Sequence, residues 1–183
     1  MRSYILILAV SAMTSTSSVA QPPTFDQIVK KVEAKFEPAD ARPGQTVTLK
    51  ISVQLINGWS TYPTIQPDKG AKAQTNKATF PGPADVVYVG ELFEPLDPKE
   101  KSEPLALIEK LHFYPGGGVW ERKAVVLPST PAGKISSKIK FRVLVCDKDN
   151  CLPPKTYELE AGLNVAGEPV PVEKRYKDEV EKK

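Results

Sequence analysis

Apolar and polar residues alternate along much of this chain with the period of two that marks half-buried strands. Val47, Leu49, Ile51, Val53 and Leu55 share one parity, while Thr48, Lys50, Ser52 and Gln54 share the other. One face of this segment packs and the other is wet. Just upstream, Val32, Ala34 and Phe36 alternate with charged residues in the same way, and the Pro38 to Gly44 stretch between the two is a turn. Asn57-Gly58 ends the clearest strand, and Trp59, Tyr62 and Ile65 follow in a proline-punctuated stretch. Further apolar runs lie at Asp85 to Val89, Leu105 to Phe113, Val119 to Leu127, Ile135 to Val145 and Tyr157 to Val165, with prolines between nearly all of them. Strands at such intervals, bounded by turn residues, predict an all-β fold of the β-sandwich type.

Composition agrees with that pattern. Proline supplies 18 of 183 residues, about twice the usual share, which argues against a helical bundle because interior proline breaks helices. A hydrophobic share of 40% and a charged share of 26% are ordinary for a globular chain.

The first residues have a separate logic. Arg2, the apolar run from Tyr4 to Ala12, and small residues at Ser18 and Ala20 form the pattern of a cleaved signal peptide over residues 1–20. That run is too short for a membrane span. No second long apolar stretch follows, so the mature chain is expected not to span a membrane and to be periplasmic or secreted. Residues 21–31, with Phe25, Ile28 and Val29 at helix-like spacing, read as an N-terminal lead-in. Residues 32–168 read as one domain and 169–183 as a charged tail, frayed or a short helix. Beyond Arg2 the chain carries 24 basic and 22 acidic residues, too balanced to imply nucleic acid as a partner.

The candidate chemistry sits at Cys146-Asp147-Lys148-Asp149-Asn150-Cys151-Leu152-Pro153-Pro154. Ile139, Phe141, Val143 and Val145 share the apolar parity of the strand before it, so Cys146 continues the other parity and is expected to point away from the core. The intervening residues are polar turn formers, as at a hairpin tip, and such a tip brings two cysteines within bonding reach. Three readings stay open from the residues themselves: a structural staple, a redox-active pair, and a metal site. A staple closing so short a loop gains only about 2 kcal/mol in the chain-entropy model. Metal binding is the weakest, because two thiolates and the lone His112 do not complete a typical site. Asp147 and Asp149 disfavour a thiolate and Lys148 favours one. There is no Cys-x-x-Cys at a helix start to lower a thiol pKa, so the pair suits passive relay between matched partners.

The segment Phe141 to Glu158, FRVLVCDKDNCLPPKTYE, resembles the end of the N-terminal periplasmic domain of the thiol:disulfide interchange protein DsbD. That family shows a strand, a cysteine, a short polar turn, a second cysteine, and Pro-Pro, which Pro153 and Pro154 match. His112-Phe113-Tyr114-Pro115-Gly116 is similar to the family's cap loop, and Gly58 to Tyr62 to its early Gly-Trp segment. The resemblance implies an immunoglobulin-like sandwich and an exported thiol–disulfide exchange activity of the protein-disulfide reductase type, with no cofactor and no metal. It implies Cys151 as the nucleophile, Cys146 as the resolving thiol, and Phe113 with Tyr114 as an aromatic shield. Implied partners are exported thioredoxin-like or disulfide-isomerase-type proteins as acceptors, and a separate membrane protein as electron donor. This sequence has four residues between the cysteines where the family commonly has five, and His112 stands where the family often has an acid. The reading from another functional class is a non-catalytic immunoglobulin-like binding module whose disulfide only staples a hairpin.

Overall fold

The computed structural model describes residues 23–182, so the expected leader at residues 1–20 lies outside the described residues. In chain order a helical turn, α1 (Phe25–Ile28), leads into β1 (Val29–Glu37), β2 (Asp40–Ala41), β3 (Thr46–Leu55), β4 (Ser60–Thr61) and β5 (Lys77–Thr79). Then follow β6 (Val86–Phe93), β7 (Lys99–Glu103), β8 (Ile108–Pro115), β9 (Gly117–Val126), β10 (Gly133–Val143), β11 (Val145–Cys146), β12 (Lys155–Val165) and α2 (Lys177–Glu181).

Two sheets face each other as an immunoglobulin-like β-sandwich. One has the order β1-β3-β9-β6 and the other β2-β12-β10-β5. The alternation read in the sequence is the reason they pack. Val47, Leu49, Ile51, Val53 and Leu55 of β3 are all buried, and they meet Ile139, Phe141 and Val143 of β10 and Leu159, Ala161 and Leu163 of β12 in one core. Trp120 of β9 is its largest fully buried side chain, with its ring 5.1 Å from that of Phe141.

A third sheet, β11-β4-β8-β7, is smaller and carries the cysteines. Two of its strands are two residues long, and β7 reads Lys-Glu-Lys-Ser-Glu. No alternation marks β7 in the sequence. It is an edge strand held by antiparallel pairing with β8, and charge on an edge discourages pairing with other chains.

Both ends of the domain are more ordered than the sequence suggests. Thr24 N–H donates to the Gln27 side chain at 2.8 Å, closing the turn of α1, and Ile28 is fully buried in the main core. β1 therefore starts at Val29, three residues before the expected domain boundary. The charged tail is not frayed but ends in the short helix α2, the other of the two alternatives expected for it. Val172, Tyr176 and Val180, spaced four apart, cover Val87, Val89 and Val125 on the outer face of the first sheet. Glu179 also accepts a hydrogen bond from Gly90 N–H at 3.0 Å. Among the described residues no helix is long and apolar enough to cross a membrane.

Candidate functional site

β10 ends at Val143, and the chain then changes sheets within two residues. Val143 and Val145 pack in the main core, whereas Leu144 and Cys146 pack in a second cluster with Tyr62, Ala71, Ile108 and Leu111. Strand parity therefore sets the direction of Cys146 but not its surroundings. Cys146 does point away from the main core, but β4 and β8 roof that side, and Cys146 is only 2% exposed. The expectation of an outward-facing Cys146 is corrected accordingly.

The crossing is fixed by two buried polar side chains. Asn76 accepts from Leu144 N–H through Oδ1 at 2.9 Å, and its Nδ2 donates to Thr61 Oγ1 at 2.9 Å. Thr61 Oγ1 in turn donates to the Leu144 carbonyl at 2.9 Å. Both polar groups of the Leu144 backbone are thus satisfied where a regular ladder is missing. Thr61 and Asn76 were not legible as site residues. One lies in a proline-rich stretch and the other among polar residues, and only the fold places them beside Leu144.

Cys146 and Cys151 form a disulfide with their Cα atoms 4.0 Å apart. The turn between them is closed independently of sulfur. Asp147 N–H donates to the Asn150 carbonyl at 2.9 Å, and Leu152 N–H donates to the Val145 carbonyl at 3.0 Å. Asp147 Oδ1 accepts from the amides of Asp149 at 2.8 Å and Asn150 at 2.6 Å, which holds the Asp147 carboxyl below its ordinary pKa. Cys151 is exposed, as are Pro153 and Pro154, which lead straight into β12. The two sulfur-bearing residues therefore differ sharply: one is sealed under a small core and the other faces solvent.

The two aromatic residues proposed as a shield are separated by strand alternation. Phe113 is half-buried and packs on the cluster that contains Cys146, with the Lys101 ammonium 5.6 Å from its ring centre. Tyr114 faces the other way, into the main core, edge-on to Trp120 at 5.9 Å. Burial, with the Glu94 charge adding to it, pushes the Tyr114 phenol up to about 12. The structure thus brings Cys146, Cys151 and Phe113 to one region and leaves Tyr114 as core packing, because adjacent strand residues point to opposite faces. Phe113 is also a strand residue opposite Lys99, not part of a loop. The hairpin turn itself is Gly116, and Gly117 must be glycine: at φ +114° a Cβ would lie 1.9 Å from the Val53 carbonyl oxygen.

His112 is 3.1 Å from Glu100 and is held through its backbone by Gln66. Among the described residues no group of three or more His, Cys, Asp or Glu side chains is placed to hold a metal ion.

No protein-family model and no curated protein sequence matches the chain. Solved structures with a similar fold include the N-terminal periplasmic domain of ScsB from Proteus mirabilis, at 18% identity over 79% of this chain and 49% of that one, TM-score 0.45. They also include the DsbD N-terminal domain of Neisseria meningitidis in its reduced form, at 15% identity over 81% of this chain and 95% of that one, TM-score 0.43. A cohesin–dockerin complex from Clostridium thermocellum gives 16% identity over 74% of this chain and 99% of that one, TM-score 0.39. The chain spans about half the length of the ScsB structure.

Proposed function

We propose that this domain is an exported thiol–disulfide exchange module working through Cys151 and Cys146. The observation that supports it is the unequal burial of the pair, with Cys151 exposed and Cys146 2% exposed. Exchange needs one sulfur open to in-line attack and a second held close but out of reach of other thiols.

The steps follow from that arrangement. In the dithiol form, the Cys151 thiolate attacks one sulfur of a partner disulfide and expels the partner's other sulfur as thiolate. The Cys146 thiolate then attacks Cys151 Sγ, forms the intramolecular disulfide and expels the partner's remaining thiolate. The partner gains two electrons and this pair loses two, leaving the disulfide seen here. A dithiol donor attacking Cys151 reverses the sequence and reloads the pair. The acceptors are exported thioredoxin-like proteins and the donor a membrane dithiol protein. The resemblance of the Cys-turn-Cys-x-Pro-Pro segment supports these partners and a periplasmic setting. Phe113 narrows access so that exchange depends on a docked partner. No cofactor enters any step.

The hydrogen bonds of Asp147 and Leu152 count against a simple staple, since they close the turn without any contribution from the sulfurs. The test is equilibration of the pair with glutathione buffers. The proposal expects a potential within the range of exchange proteins, between about −270 and −120 mV. A value below about −300 mV marks a structural disulfide and overturns it.

A further inference from the structure

Arg122 occupies a position the sandwich pattern reserves for an apolar side chain. On β9 it shares the inward parity of Trp120 and Ala124, both fully buried. Its partner across the ladder in β3 is the fully buried Leu49. In β6 its partner is Leu92, beside an irregularity that sets two residues, Gly90 and Glu91, out of register. Such irregularities re-aim side chains and gather at functional sites.

A guanidinium at an inward position is costly unless it is paired. Its plane is served by aromatic rings: the centre of Phe80 is 4.4 Å away and that of Tyr88 5.9 Å. Its Nε is buried and meets no acceptor among the described residues, and none of their ion pairs involves Arg122. Burial draws its pKa down from the ordinary arginine value. Glu179 is the acidic group that acts on it electrostatically, and that carboxylate is engaged with Gly90 N–H.

This arginine lines a cavity of about 460 Å³, a size typical of small-molecule sites. Lys77 and Thr79 of β5 supply polar groups, Phe80, Pro81 and Tyr88 supply apolar surface, and no carboxylate lines it. We propose that the cavity binds a small organic carboxylate with a flat apolar body, its carboxylate meeting Arg122 and Lys77 and its body lying along Phe80 and Pro81. The guanidinium fork matches a carboxylate bidentately, and a second cation at the rim selects a charged ligand over a neutral one.

The test is amide chemical-shift titration of the isotope-labelled domain with phenylacetate, with the neutral 2-phenylethanol and with inorganic phosphate. The proposal expects saturable shifts at Lys77 to Phe80, Tyr88 and Arg122 with phenylacetate. Affinity should fall at least about tenfold in Arg122→Gln and several-fold in Lys77→Gln, a change on an exposed edge strand that leaves the core intact. Three outcomes overturn it: no saturable shift with phenylacetate up to about 10 mM, equal binding of 2-phenylethanol, or unchanged affinity in Lys77→Gln. Binding of phosphate without phenylacetate overturns the assigned ligand class.

Discussion

The sandwich walls and the small cysteine-bearing sheet use the same alternation at different scales. In β3, all five inward residues are buried, with the ten-residue β9 paired beside it and the eleven-residue β10 in the facing sheet. In the small sheet, β4 and β11 are two residues long, and the cluster beneath them has six buried members. A long ladder spreads its stability over many pairs. The short one depends on a few side chains, chiefly Leu111, Tyr62 and the Thr61–Asn76 node. Few side chains hold the sheet that carries Cys146, so this part of the fold is expected to open locally at lower cost than the sandwich walls.

The comparison breaks most readily at the large core. Trp120→Ala should lose about 3–5 kcal/mol of stability in urea denaturation, with disulfide reactivity per folded molecule unchanged. Leu111→Ala, in the small cluster, should lose about 2–3 kcal/mol and also speed reduction of the disulfide by dithiothreitol. If both variants changed reactivity alike, the two regions would be one cooperative unit.

Asn76→Ala sharpens the contrast. It leaves the Leu144 N–H buried without an acceptor and should cost about 1–3 kcal/mol, with faster amide exchange concentrated at residues 144–146. Uniform exchange across the sandwich would contradict a local role. Phe113→Ala is a milder change, because the ring is only half-buried. Reaction with glutathione should quicken several-fold while stability moves by about 1 kcal/mol. An unchanged rate would remove Phe113 as a shield.

The smallest effect is electrostatic and belongs to the sandwich wall. Lys35 and Lys50 hold the Glu37 carboxyl at about 2, against an ordinary 4.5. A carboxylate lowered in the folded state contributes stability that is complete above its unfolded pKa and is lost as pH falls through the folded one. That contribution should fade between about pH 4.5 and 2, and Glu37→Gln should flatten this part of the acid-stability curve. The carboxylate is open to solvent on the sheet surface, so salt should weaken the effect. A curve unchanged by Glu37→Gln would show that the pair contributes nothing measurable.

Much of the wall was legible in the sequence because its side chains answer to a local period. Val47 to Leu55 reads as a strand and is one. The cysteine turn was legible for a similar reason, since Asp147 to Asn150 are turn formers whose side chains bond to nearby amides. The roof over Cys146 was not, because Tyr62, just past β4, and Ile108 and Leu111 of β8 reach it from far away in sequence. Phe113 and Tyr114 are neighbours in the chain, and only the register of β8 shows that they serve different cores. In the tail, Val172, Tyr176 and Val180 carried a helix-like apolar spacing that the surrounding charge concealed.

The central claim is that the two cysteines have unequal access, with Cys151 the attacking sulfur. Single-cysteine variants test it directly. Cys146→Ser and Cys151→Ser are each treated with oxidised glutathione, and adduct formation is followed by intact mass. Cys146→Ser, which keeps Cys151, should form the mixed disulfide readily, while Cys151→Ser should remain largely a free thiol. Equal rates, or faster reaction at Cys146, would contradict the account.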